Sequence, residues 1–283
     1  MNAPTASTAS PVAPPASKPA LAGPPALSSR GLGIRFGGHA AVDDVTADFA
    51  AGTLTAIVGP NGAGKTTYFN LLSGQLRASA GTVHFRGEDI TRLGAAQRTA
   101  RGIGRAFQLT NLFPRLSVVE NVRLAVQSRH RAGFNMLAMW RSRSDLIAQA
   151  DDYVAQVGLA ARRDDLAAKL PHGDKRKLEV AILMALEPEI VMFDEPTAGM
   201  SVDEVPVILE LIRRLKARGD KTILLVEHKM DVIHSLADRI VVLHNGRLVA
   251  DGLPAEVMAS AIVQEAYLGV RRTPAQRREA ANA

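Results

Sequence analysis

The stretch GPNGAGKTT, Gly59 to Thr67, decides how the rest of the chain is read. It fits G-x-x-x-x-G-K-[ST], the pattern in which glycines turn backbone N–H groups inward to cradle phosphate oxygens. The helix that follows points the positive end of its dipole at the same anion. Lys65 then reaches the β- and γ-phosphates, and the Thr66 hydroxyl is placed to bind Mg²⁺. The apolar run LTAIV before the loop reads as a buried strand and Thr66 to Ser73 as a helix, the order this mechanism needs.

Two further apolar runs end in groups that suit the same chemistry. IVMFDE, Ile190 to Glu195, is a strand closing on two carboxylates. Asp194 is expected on Mg²⁺ and Glu195 beside the attacking water. ILLVEH, Ile223 to His228, ends in a histidine that can touch the γ-phosphate. In open α/β sheets ligands bind outside the carboxyl ends of the strands, so all three endings are expected at one edge. RAFQ, Arg105 to Gln108, closes on a glutamine where the sheet pattern gives way to helices, a place from which Gln108 can sense the γ-phosphate or Mg²⁺.

The 283 residues suffice for a full core, and 47% hydrophobic with 22% charged residues is a globular composition. The absence of cysteine excludes disulfides, thiolate metal sites and a thiol nucleophile. The formal charge of +6 is compatible with nucleic acid, an anionic membrane surface, an acidic protein partner or simply a solvated basic surface. No run approaches the roughly 18 apolar residues of a membrane-spanning helix.

Residues 1–28 are an Ala/Pro-rich stretch expected to be disordered, with no signal-peptide core. Strand-like and helix-like segments alternate from Gly31. From about 115 to 187 the period is helical, and strands return as IVMFD, KTILLVEH, RIVVLHNG and RLVADG. VDEVPVILELIRRLKARG reads as a helix closing on Gly219. The expected fold is therefore α/β: a P-loop sheet core, RecA-like, with antiparallel strands near the N-terminus and an inserted helical subdomain at about 109–187. The main domain runs over 29–270, and 271–283 form a basic tail.

In this order the motifs resemble the ATP-binding subunits of ABC transporters. Gly59, Pro60, Asn61, Gly62, Ala63, Gly64, Lys65, Thr66 and Thr67 look like Walker A, Gln108 the Q-loop, Ile190 to Glu195 Walker B, and His228 the switch histidine. Phe36 matches the aromatic that stacks on adenine, with core packing as its alternative. The resemblance implies ATP and Mg²⁺ as cofactors, Thr66, Asp194 and Gln108 around the metal, and Glu195, His228 and Gln108 as the hydrolytic set.

Leu170, Pro171, His172, Gly173 and Asp174 stand where the family has Leu-Ser-Gly-Gly-Gln, the loop that caps the nucleotide of a second ATPase subunit. Gly173 keeps an N–H for close approach, whereas Pro171 brings neither hydroxyl nor N–H. Lys175 and Arg176 are expected to reinforce the positive helix start. After Walker B the usual Asp is replaced by Ser201, with Asp203 two residues on.

The altered signature, the AGM after Walker B and the ending EAYLG resemble importers of branched-chain and other hydrophobic amino acids, of whose two ATPase subunits this chain looks like the longer. The implied partners are permease subunits, a second ATPase and an extracytoplasmic binding protein, at the cytoplasmic face of the membrane. FQLTNLFPRLSVVEN, with Leu112, Phe113 and Leu116, is expected to grip a short permease helix. Phe134, Met136, Leu137, Met139 and Trp140, flanked by arginines, read either as a self-packed helical surface or as a membrane-facing edge. Urea or short-amide importers, and soluble ATPases of similar fold acting on nucleic acid, remain as alternatives; no nucleic-acid partner is expected.

Overall fold

The computed structural model describes residues 24–106, 112–130, 143–260 and 263. Residues 1–23 of the leader, the Phe134–Trp140 cluster, the tail and Gln108 lie outside the described residues. The end of the expected leader is ordered instead: Leu27 and Ser28 are buried and open the first strand, because their pairing with the neighbouring strands covers them.

Two sheets flank the helix that follows the glycine-rich loop. β1 (Leu27–Phe36), β2 (His39–Phe49), β4 (Ala80–Phe85) and β5 (Glu88–Asp89) form an antiparallel sheet of order β2-β1-β4-β5. The larger sheet has the order β10-β9-β3-β8-β7-β6. Its members β3 (Leu54–Val58), β6 (Ile103–Ala106), β7 (Ile190–Asp194), β8 (Thr222–Val226) and β9 (Arg239–His244) are parallel, and β10 (Arg247–Gly252) is antiparallel to β9. The hairpin joining β9 to β10 turns on Asn245 and Gly246, both at positive φ (48° and 76°), as a two-residue Asn-Gly turn requires.

The central strands β3, β7 and β8 are buried along their whole length and largely apolar without alternation because both faces are covered. Ile190, Met192, Leu224 and Val226 face α1 (Lys65–Ser73) and the antiparallel sheet. Val191, Phe193, Ile223 and Leu225 face the opposite way, onto α6 (Val205–Ala217) and the helical segment. That segment comprises α3 (Val118–Arg129), α4 (Arg143–Gln156) and α5 (His172–Leu186). Its buried residues, among them Val122, Ala150 and Leu178, belong to the same apolar cluster as Phe193 and Ile212. The helical segment thus shares its core with the sheet. The short helices α7 (Met230–Leu236) and α8 (Pro254–Ala259) cover Ala56, Ile240 and Val242. The helix over 202–219 is shorter than its pattern: Pro206 sits in the first turn, where its missing N–H costs nothing, and Ser201 and Glu204 form the entry turn.

One side chain ties α1 to its surroundings. Arg98, on α2 (Ala95–Ala100), is only 2% exposed, and burial pushes its pKa down to about 10. At neutral pH it stays charged, and all five guanidinium N–H groups find backbone carbonyls. Nε donates to Leu93 (3.0 Å), Nη1 to Leu71 and Leu72 (2.7 Å each), and Nη2 to Ile90 (2.9 Å) and Thr91 (3.1 Å). Leu71 and Leu72 are among the last carbonyls of α1 and carry its negative end, and Leu71 also accepts from the N–H of the capping Gly74 (3.3 Å). Replacing Arg98 by Met removes the charge-assisted bonds to both buried carbonyls and leaves Leu71 only its bond from Gly74. Chemical and thermal denaturation of Arg98→Met are expected to show a loss of about 3 kcal/mol, a fall in Tm of roughly 6–12 °C; a loss below about 1 kcal/mol would contradict this reading.

Candidate functional site

The loop between β3 and α1 takes its shape from glycines whose backbone no other residue adopts easily. Gly62 and Gly64 lie at φ 79° and 94°. A Cβ on Gly64 would overlap the carbonyl oxygen of Ala41, and one on Gly59 that of Leu243. The loop is therefore pressed against β2 and the end of β9. Ala63 closes a turn on Pro60 (3.1 Å), and the Gly246 N–H donates to the Ala63 carbonyl (3.0 Å). α1 starts with no acidic residue in its first turn, so its positive end is uncovered toward the loop.

Above it opens a cleft of about 230 Å³ lined by Asn61 to Thr67, Glu195 and His228, with His39 and Ala41 on the far wall. Lys65 is buried, and its ammonium donates to the carbonyls of Gly59 (2.7 Å) and Pro60 (2.9 Å). Burial lowers its pKa, and the charges of Glu195 and Asp194 work against that shift.

The parallel strands bring the other groups to the same edge. Glu195 follows β7 at positive φ (50°), an uncommon conformation for this residue, with its N–H bonded to the Val226 carbonyl (2.9 Å). Its Oε1 lies 2.8 Å from Nε2 of His228. Beneath them Asp194 is 7% exposed and paired with Arg105, Nη2 to Oδ2 at 2.6 Å. Burial raises the Asp194 pKa, and Arg105 opposes the rise. The Thr66 hydroxyl at the cleft and the Asp194 carboxylate beneath it are hard oxygen donors that suit Mg²⁺. Among the described residues no cluster of three or more acidic or histidine side chains could hold a metal ion.

Other expected residues stand elsewhere. Phe36 is 51% exposed at the β1–β2 turn, and its partner across that turn, His39, is the one that lines the cleft. None of Leu170 to Asp174 lines it. Pro171 caps α5 with its carbonyl, which accepts from the Lys175 N–H (3.0 Å). Gly173 packs against the carboxylate end of the Glu204 side chain, which a Cβ there would displace. The basic start of α5 is partly neutralised: Lys177 and Arg162 hold Asp174 (2.8 and 2.9 Å), and Arg176 turns to Glu179 (3.3 Å). Ser201 donates through N–H and hydroxyl to Glu204 (3.1 and 3.0 Å).

Glu227 was not singled out in the sequence. It is buried, accepts from the Thr197 hydroxyl, and accepts from the N–H groups of His228 (2.7 Å) and Lys229 (3.2 Å). A carboxylate just before His228 was its one visible signal. It fixes the backbone that carries His228 and ties it to the loop after β7. For the glycine-rich loop the expectation is direct. Gly64→Ala adds a methyl at φ 94° against Ala41, a strain of about 1–3 kcal/mol. Equilibrium binding should show ATP affinity reduced about tenfold or more with the far-UV CD spectrum unchanged; unchanged affinity would refute the close-packed cradle.

Comparison with known proteins agrees with this geometry. The ABC transporter family model matches residues 42–198, and a model described as branched-chain amino acid ATP-binding cassette transporter matches residues 247–272. The high-affinity branched-chain amino acid transport ATP-binding protein LivG of Escherichia coli is 36% identical over 250 residues, covering 87% of this chain and 98% of LivG. BraF of Pseudomonas aeruginosa, of the same description, is 37% identical over 251 residues, with the same shares covered. The ADP conformation of MJ1267, an ATP-binding cassette of an ABC transporter, superposes with a TM-score of 0.72 at 28% identity, covering 86% of this chain and 98% of that one. No helix among the described residues is long and apolar enough to cross a membrane. With its phosphate loop, its full-length relatives and a family match over more than half its residues, the chain belongs to the ABC transporter family as an ATP-binding, ATP-hydrolysing subunit.

Proposed function

We propose that this chain drives an importer of branched-chain or other hydrophobic amino acids. The observation that carries the ATPase half is the convergence of the glycine-rich loop, Lys65, Glu195 and His228 on one cleft. The transport half is supported by LivG and BraF, named for branched-chain amino acid transport, and by the match at residues 247–272.

In this reading the N–H groups of Asn61 to Thr67 and the positive end of α1 hold the β- and γ-phosphates, and Lys65 moves part of its bonding from the Gly59 and Pro60 carbonyls to phosphate oxygens. Glu195 takes the proton of the attacking water as the γ-phosphoryl group is transferred. His228, bonded to the same carboxylate, orients it and faces the γ-phosphate. Phe36 or His39 contacts the adenine. Thr66, Asp194 and Gln108 would hold Mg²⁺, which neutralises charge developing on the phosphates. The ATPase unit expected over 29–270 begins at β1, with Leu27, and about 109–187 is its helical part, with the residues before β1 and 271–283 as flanking segments.

Leu170 to Asp174 cap the nucleotide of a second ATPase subunit. The complex also contains permease subunits at the cytoplasmic face and an extracytoplasmic binding protein. Glu195→Gln removes the base and keeps the shape. ATP binding should stay within about threefold of wild type, while steady-state hydrolysis falls by roughly 10²–10⁴. Hydrolysis at the wild-type rate would refute the assignment of Glu195.

A further inference from the structure

Arg105 reaches the cleft from below, on the short strand β6. In the parallel register Arg105 lies beside Met192 of β7, and Met192 and Asp194 share a face because side chains alternate along a strand. Arg105, Met192 and Asp194 therefore all point toward α1. The Arg105 guanidinium is buried there and links its own strand to two other elements, β7 and α1. Nη2 donates to Asp194 Oδ2 (2.6 Å), and Nη1 donates to Asn70 Oδ1 (2.7 Å) and Ser73 Oγ (2.8 Å). Asn70 and Ser73, three residues apart on α1, present one face to it. The guanidinium also lies 5.2 Å from the Phe69 ring centre, which limits its sideways freedom.

We propose that Arg105 is a positioning residue for the metal-binding carboxylate: bracing itself on Asn70 and Ser73, it fixes Asp194 Oδ2 and so aims Oδ1 at the nucleotide-bound cation. The proposal rests on the reading that Asp194 serves Mg²⁺. A buried carboxylate without this partner would have a buried charge and a free torsion, and both disfavour a fixed oxygen. A lysine could not take over, since a point-charge ammonium cannot hold Asp194, Asn70 and Ser73 in one plane. The role matches that of outer-shell partners elsewhere, whose loss typically weakens metal affinity by about 10–100-fold.

The test uses the purified full chain and a fluorescent ATP analogue. Nucleotide binding is measured in EDTA, and then the Mg²⁺ concentration that half-saturates the metal-dependent signal. Arg105→Met is expected to raise that concentration about tenfold, with binding in EDTA within about twofold of wild type. Arg105→Lys, which keeps the charge and serves if the methionine variant does not fold, should raise it about threefold, short of full rescue. Asp194→Asn is the control. A raised Mg²⁺ requirement in Asp194→Asn, with none in Arg105→Met and Arg105→Lys, overturns the positioning role and leaves the Asp194 assignment standing. An unchanged requirement in Asp194→Asn itself overturns both. A fall in binding in EDTA and in melting temperature, with the Mg²⁺ requirement unmoved, would make Arg105 a structural strut and also overturns the proposal.

Discussion

The constraint on which the site depends is the absence of side-chain room at Gly59 and Gly64. The loop reaches its shape only because its backbone presses on the carbonyls of Leu243 and Ala41. Those contacts come from the two sheets on either side of α1, so the cradle exists only once both sheets have packed on that helix. Arg98 holds the other end of α1 through the carbonyls of Leu71 and Leu72. The helix is thus gripped at both ends, and its positive end is fixed against the strand ends that carry Asp194 and Glu195. A fixed dipole in a partly buried cleft acts on phosphate more strongly than the same dipole on a mobile helix in water.

Charge around the cleft is arranged in linked pairs. Arg105 offsets the buried Asp194, Glu195 meets His228, and Glu227 holds the backbone of His228 from behind. Each acidic group thereby has a defined partner close to the place where phosphate charge is to be met. The cleft wall comes from three parallel strands ending at one edge, the arrangement by which open α/β sheets build ligand sites.

Much of this was legible in the sequence because the signals were local. Gly59 to Thr67 specifies a turn, and the unbroken apolar runs before Gly59, Glu195 and Glu227 specify strands covered on both faces. Antiparallel strands near the N-terminus were expected, but β2 was not located among them: HAAVDDVTADF alternates only weakly and carries two adjacent aspartates, which are uncommon in strands. The shared core of the helical segment and the sheet was also hidden, because periodicity shows that a helix has an apolar face but not what covers it. His39 was missed for a similar reason: its place on the cleft wall follows from pairing with Phe36 across a turn. Arg105 and Glu227 were hidden because each acts through partners far away in sequence, Asn70 and Asp194 for one and Thr197 for the other. The change of Ser to Pro in the signature was legible, but its local consequence was not. The Pro171 carbonyl still opens α5, and Asp174 is neutralised by Lys177 and Arg162, so the helix start remains formed without the hydroxyl.

An ATPase of this family does transport work only inside a complex with membrane subunits. The most direct test is purification of the tagged chain from gently solubilised native membranes, with its companions identified by mass spectrometry. Multi-span permeases and a second ATPase subunit are expected in the same complex. Recovery only in the soluble fraction, with nucleic acid or soluble proteins as companions, would contradict that expectation.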